Sequence, residues 1–468
     1  MLILAICCLS LLIVGMDNTI VNVGLRTIQD ELHTSLTDLQ WIIDAYTVVL
    51  ASLLMLSGSL ADRFGRRRVF QIGLTVFTLG SLLCSVAPSL GWLVAFRTMQ
   101  AVGGSMLNPV AMSIITNVFT EPRERARAIG VWGGVIGLSL GLGPIVGGAL
   151  IGSVGWRAIF WINVPVGVLA FALAALFVPE SRAPHARRLD PFGQVLVIIL
   201  LGGLTFSIIE GPRAGWVSAQ TGIALGLAVV AAVALGRYEP RRREPLIDLR
   251  FFRSVPFTGA TAIAVCGFAA FSGFLFLTSL YLQEVRDLSP LAAGCSFLPL
   301  AVMTLALAPL SGRLVGTRGP RLPLLLAGGL LTLGGLLLLS LSADESYVWL
   351  IASFAVFAAG FALLNAPITN TAVSGMPREQ AGVAAAVAST SRQVGAALGV
   401  AIVGSVLTTG LSGPLRTGFV PASHAGWWVI TGCGLAVLVL GALTTGRRAD
   451  ASAERTARLV AEEPALAA

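Results

Sequence analysis

Read for apolar and polar positions, the chain is a succession of long apolar runs separated by short polar ones. Runs of about 20 residues, each long enough to cross a hydrocarbon core of roughly 30 Å as a helix, recur along the whole length. They fall at 1–25, 40–60, 69–88, 91–116, 128–151, 158–178, 191–210, 219–236, 256–282, 291–312, 323–342, 347–371, 383–409 and 426–446. This pattern predicts an all-α membrane protein of fourteen spans with no room for a soluble domain. Two connections are longer and more charged than the rest, "PESRAPHARRLD" (179–190) and "GRYEPRRREPLIDLRFFRSVPF" (236–257), and they bracket spans seven and eight. The expected organisation is a six-helix bundle (1–178), linker loops with two extra helices (179–255), a second six-helix bundle (256–446) and a tail (447–468).

Composition agrees: 56% of the 468 residues are hydrophobic and 12% charged, where a soluble domain carries about 25% charged residues. The net charge of +8 changes the picture only through its distribution. With the N-terminus inside, 24 of the 31 basic residues fall in inner loops and tail. Five lie outside (Arg26, Arg157, Arg213, Arg286, Arg416) and two within spans. That asymmetry satisfies the positive-inside rule, so both termini are expected in the cytoplasm, and the basic balance needs no nucleic-acid partner. Every basic residue is Arg, a codon bias of high-GC bacteria. No basic residue precedes the apolar run 1–15, which disfavours a signal peptide; the missing polar leader suggests a late start codon.

Cys7, Cys8, Cys84, Cys266, Cys295 and Cys433 fall in or beside spans without Cys-x-x-Cys spacing, so no disulfide, metal or cofactor is expected. His33, His185 and His424 are read as solvated loop residues. No nucleophile–base set or phosphate loop is present, which argues against an enzyme. No obligate protein partner is evident.

Two loops echo each other: "GSLADRFGRRR" (58–68) follows span two and "GRLVGTRGPR" (312–321) follows span ten. Repeat-related halves mark a secondary transporter with its site near the bilayer midplane. In the first loop Gly58 and Gly65 allow a tight turn, and Asp62 can bond Arg66 and its neighbours. "GLSLGLGPIVGGAL" (137–150) carries Gly143, Pro144, Gly147 and Gly148, a small-residue face with a proline bend. "RTMQAVGGSM" (97–106) sets Arg97 and Gln100 inside span four. "GWRAIFWINVPVG" (155–167) offers Trp156 and Trp161 as interfacial anchors.

In these motifs, and in "MDNTIVNVGLR" (16–26), the sequence resembles the major facilitator superfamily, specifically its fourteen-span drug:proton antiporter branch. It departs from the family pattern at Ala101, Gly24 and Arg26. The resemblance implies two bundles with a cavity between them and a location in the bacterial cytoplasmic membrane. It also implies export of amphipathic small molecules in exchange for protons.

A charge in the bilayer core is costly and marks a candidate site. Asp17 lies roughly 13 Å inward of Arg26, Asp44 roughly 6 Å inward of residue 40 and Arg97 roughly 10 Å inward of residue 91. Pairing of Arg97 with either Asp17 or Asp44 is geometrically open. Asp17 is expected to carry the proton, with Asn22 and Thr19 adding polarity, and Asp44 to carry a proton or bind substrate. Asn365, Asn370, Arg392 and Gln393 are left to line the opposite wall, and Glu210 is read as an interfacial acid. The alternative function is a dedicated exporter of one endogenous metabolite. Substrate identity and oligomeric state are not readable from these residues.

Overall fold

Each apolar run folds as helix, and the helices begin and end where local chemistry dictates. The computed structural model describes residues 1–183, 189–242, 245–374, 376 and 380–461; His185 lies outside them. The first seven helices are α1 (Leu2–Leu32), α2 (Leu36–Phe64), α3 (Arg66–Ser85), α4 (Leu90–Val118), α5 (Pro122–Ser153), α6 (Ala158–Trp161) and α7 (Asn163–Phe177). A hairpin of α8 (Pro191–Ala214) and α9 (Ala219–Tyr238) follows. The remainder are α10 (Val255–Leu280), α11 (Pro290–Ser296), α12 (Leu298–Arg318), α13 (Arg321–Leu339), α14 (Tyr347–Ala362), α15 (Asn365–Val373), α16 (Ala381–Gly410), α17 (Leu415–Leu443) and α18 (Arg447–Ala461).

Among the described residues, thirteen segments have the length and apolarity of a membrane crossing. The fourteenth run is α4, 29 residues long, whose interior Arg97, Gln100 and Asn108 lower its apolarity. It is held between α2 and α3.

Local chemistry explains the boundaries. α2 starts at Leu36 rather than near residue 40 because Ser35 and Asp38 form a reciprocal cap, with Ser35 N–H donating to Asp38 Oδ2 at 2.8 Å. α6 and α7 part at Ile162, where Pro165 has no N–H to offer the Trp161 carbonyl. Likewise Pro367 leaves the Leu363 carbonyl free between α14 and α15, and Ser311 Oγ on α12 donates to it at 2.7 Å.

Several expectations need correction. Gly58 makes no turn: it sits inside α2 with open space where a side chain would go, and the turn is at Gly65, whose φ is 111°. Trp156 is 1% exposed and donates to Glu31 Oε2 at 2.7 Å, so it packs inside while Trp161 alone faces outward. His424 is exposed but helical, within α17. The tail is helical over Arg447–Ala461 because Ala449, Ala453 and Thr456, at helical spacing, bury one face beside α10.

Helices α1–α7 pack on one another, chiefly α1 on α5, α3 on α4 and α7, and α2 on α4. A second bundle is built from α10–α17, with α10 on α16 and α17, and α13 on α14 and α17. The bundles meet along α1–α10, α2–α16 and α5 with α11 and α12, while α8 lies against both α2 and α16.

Candidate functional site

Arg97 and Gln100 are three residues apart on α4 and therefore share a face, and that face meets α1 at Asp17. Arg97 Nη1 donates to Asp17 Oδ2 and, at 2.8 Å, to Gln100 Oε1. Gln100 Nε2 in turn donates to Asp17 Oδ1 at 2.8 Å. Arg97 Nε reaches the Ile42 carbonyl on α2 at 3.3 Å, and its guanidinium carbon lies 4.1 Å from the Tyr46 ring centroid. Asp17 is 0% and Arg97 1% exposed. Of the two pairings open to Arg97, the structure has Asp17. Burying both charges costs several kcal/mol per ion, offset only when partners are complete, and here Asp17 accepts three donors.

The third donor comes from α7. Asn163 Nδ2 lies 3.0 Å from Asp17 Oδ1 and 3.0 Å from Ser81 Oγ on α3, and Ser81 Oγ donates to the Phe160 carbonyl at 2.8 Å. Sequence reasoning read the run around Asn163 only as an anchor and missed Ser81 and Tyr46. The available signal was an amide just before Pro165 in an otherwise apolar span.

Asp44 is equally buried, at 0% exposure, and differently served. Thr47 Oγ1 donates to its Oδ1 at 3.2 Å, and Oδ2 has no hydrogen-bond partner. At 100° per residue, Gln40, Asp44, Thr47 and Ala51 form one stripe of α2. That stripe faces the other bundle: Gln40 packs on Gly404 of α16, where any Cβ would lie 1.9 Å from its Nε2. Further along, Val48 and Ala51 share a cavity of about 10 Å³ with Leu201, Thr205, Val394 and Ala397, about the size of one water.

The remaining sequence candidates do not join Asp17. Asn22 donates within α1 to Thr19 O at 3.3 Å, while its own carbonyl accepts from Ser279 Oγ on α10. Arg392 donates to Thr369 Oγ1 on α15, in the second bundle with Asn365. The small residues of α5 are two-sided. Gly143 and Gly147 receive Thr19 and Ile20 of α1, whereas Gly148 receives Pro290 and Leu291, and Gly294 of α11 receives the Pro144 carbonyl. In the loop after α2, Arg66 Nη2 donates to Asp62 Oδ1 at 2.9 Å, and Arg66 N–H donates to Ser181 O at 2.9 Å.

Hydrogen bonds between the bundles, among the described residues, all join α1 to the end of α10 and the residues just after it, on the face poor in arginine. Arg26 donates to Asp287 Oδ1 at 2.9 Å and to the Gln283 carbonyl, and Gln283 Nε2 donates to Val23 O at 3.0 Å. Arg26 also holds the Asp287 carboxyl below its ordinary range, by that hydrogen bond first and by charge second. A π-helical turn over Tyr281–Val285 presents Gln283 and Glu284 to Arg26. Toward the arginine-rich face, Gly130, Gly133 and Gly134 of α5 and Gly312 and Gly316 of α12 have open space beside them.

Comparison with known proteins gives a consistent picture. A family model described as Major Facilitator Superfamily matches residues 7–400. The chain is 37% identical over 408 residues to "Multidrug resistance protein Stp" of Mycobacterium tuberculosis (strain CDC 1551 / Oshkosh), covering 87% of this chain and 76% of that one. It is 37% identical to "Tetracenomycin C resistance and export protein" of Streptomyces glaucescens, covering 86% and 74% respectively. Among solved structures, the human organic anion transporter MFSD10 (TETRAN) superposes with a TM-score of 0.66 at 17% identity, over 94% of this chain and 99% of that one, a likeness of fold.

Proposed function

The chain belongs to the major facilitator superfamily, and we propose that it exports amphipathic, drug-like molecules in exchange for protons by alternating access. The arginine-rich face is taken as cytoplasmic, with both termini inside the cell membrane of a bacterium. On that orientation the hydrogen bonds between the bundles lie on the outer side, which supports a posture open toward the cytoplasm, the one in which an antiporter loads substrate and releases protons.

One observation carries this reading: an acid, Asp17, sits fully buried among donors contributed by α4 and α7. Those partners suit a carboxylate that has already given its proton to the cytoplasm. Asp44, with one oxygen lacking a donor, suits an acid that still holds one, because an uncompensated buried carboxylate is costly. Substrate class follows the names of the relatives, which include a multidrug resistance protein and a pump for one antibiotic. The second of these keeps a dedicated self-resistance exporter as the alternative.

The test uses purified protein in liposomes with an imposed pH gradient, measuring drug uptake with and without it. Uptake indifferent to the gradient would sink proton coupling. A toxin panel given to a pump-deficient bacterium expressing the chain separates the two substrate readings: resistance to many unrelated compounds indicates a broad pump, resistance to one a dedicated exporter.

A further inference from the structure

A proton arriving at Asp17 turns one of its oxygens from an acceptor into a donor, and each neighbour must accommodate that change. Arg97 has only donors. Gln100 is committed in both directions, since its Oε1 already takes the Arg97 hydrogen at 2.8 Å; rotating its amide would turn an NH₂ toward the guanidinium. Asn163 is different. Its Nδ2 serves Asp17 and Ser81, and the Ser81 hydroxyl, now on the Phe160 carbonyl, is free to rotate. Turning the Asn163 amide by half a revolution brings Oδ1 to the same position, where it accepts from a protonated Asp17 and from Ser81.

We propose that Asn163 is a positioning residue whose amide follows the protonation of Asp17, donating to the carboxylate and accepting from the acid; this rests on the proton-coupled reading above. Asn163, 1% exposed, is thereby the neighbour that lets the pocket serve both forms. The other titratable groups around Asp17 are Arg97 on α4, Tyr46 on α2 and Cys84 on α3. Asp44 lies on the opposite side of α2 from Tyr46. Beyond Arg127, α5 brings no charged side chain, and neither do α6, α7 nor α10.

The experiment is infrared difference spectroscopy of the purified protein, acid minus base, with the Asp17 C=O band assigned by its loss in Asp17→Asn. Isotope-labelled asparagine should reveal an amide carbonyl shift that accompanies the Asp17 band and vanishes in both Asp17→Asn and Asn163→Leu. A bond to a charged group is roughly twice as strong as one to a neutral group, so removing the amide weakens the carboxylate form more. Asn163→Leu should therefore raise the Asp17 titration midpoint by about one pH unit, a tenfold change in proton affinity, and move the pH profile of transport the same way with substrate KM unchanged. An unmoved midpoint overturns the proposal. Should Asn163→Leu fail to fold, the labelled wild-type spectrum decides, and an Asp17 band without an amide shift overturns it. A wild type without gradient-driven uptake would instead refute proton coupling, and the spectra would still report on Asn163.

Discussion

Asp17 and Asp44 are both wholly buried on neighbouring helices, yet their surroundings have opposite character. Asp17 is enclosed within one bundle: its partners on α4 and α7 belong to the same packed unit as α1. Asp44 shares a stripe of α2 with Gln40, which presses on α16 of the other bundle. If the bundles move as rigid bodies, the Asp17 pocket travels intact and changes only when a proton, water or substrate arrives. The surroundings of Asp44 are remade by the motion itself. One acid is thus suited to hold charge and the other to sense which way the molecule faces.

The hardest test of this contrast is Asp17→Asn, which removes the counter-charge of a buried guanidinium. Breaking a buried pair from one side costs about 3–5 kcal/mol, so the variant should lose thermal stability in detergent as well as gradient-driven transport. Adding Arg97→Gln removes the stranded charge; the double variant should regain most of the stability while remaining inactive. Full gradient-driven uptake in either would show that Asp17 does not carry the proton. Asp44→Asn should behave in the opposite way. Asparagine keeps a carbonyl oxygen to accept from Thr47 Oγ1 and strands no partner charge, so stability should shift by no more than about 1 kcal/mol. Transport should fall by about tenfold, equivalent to 1.4 kcal/mol. A stability loss matching that of Asp17→Asn would erase the distinction between the two acids.

Much of this was legible beforehand, for identifiable reasons. Hydropathy located the spans because a bilayer leaves few alternatives, and charge at similar depth narrowed Arg97 to two partners. The choice between them was not legible, because it depends on which faces of α1, α2 and α4 turn together. Asn163 escaped because its partner is 146 positions away and the aromatic Phe160 and Trp161 shortly before it suggest an interfacial anchor. Glu210, read as a plain interfacial acid, accepts from Trp41 Nε1 at 2.8 Å and fastens α8 to α2. Gly58 misled because a glycine near a loop motif suggests a turn, whereas the turn needs positive φ, found at Gly65.

A smaller effect is expected at the loop after α2. Asp62 is 38% exposed in its ion pair with Arg66, and exposed pairs contribute about 0.2–1 kcal/mol. Its backbone carbonyl also accepts from Ala183 N–H at 3.1 Å, a bond that substitution leaves in place. Asp62→Asn should therefore fold normally while slowing transport severalfold, since only the charge that orders Arg66 at the bundle's inner edge is lost. Normal transport by a normally expressed variant would mean the loop motif acts through its backbone alone.

The smallest effect is expected at the outer latch, where neither acid of the comparison is touched. Asp287 is 56% exposed and Arg26 31%, so their pair is weak and screened by salt. Because Arg26 lowers the Asp287 carboxyl below its ordinary range, the pair's contribution is fully present at neutral pH. It is lost only as outside pH falls through that lowered value, under the ordinary range near about 4. The latch therefore stays charged through the physiological pH range, and on the proposed proton-coupled reading the buried acids are the groups expected to read protons. Asp287→Asn should shift the population only slightly toward outward opening, since an exposed pair contributes little. Spin labels on His33 and Asp344, exposed positions on the outer turns of the two bundles, would report this as a larger fraction of long distances. High salt should reproduce the shift in the wild type and add nothing to the variant. A response to pH 6 that is present in the wild type and absent in Asp287→Asn would place proton sensing at the latch.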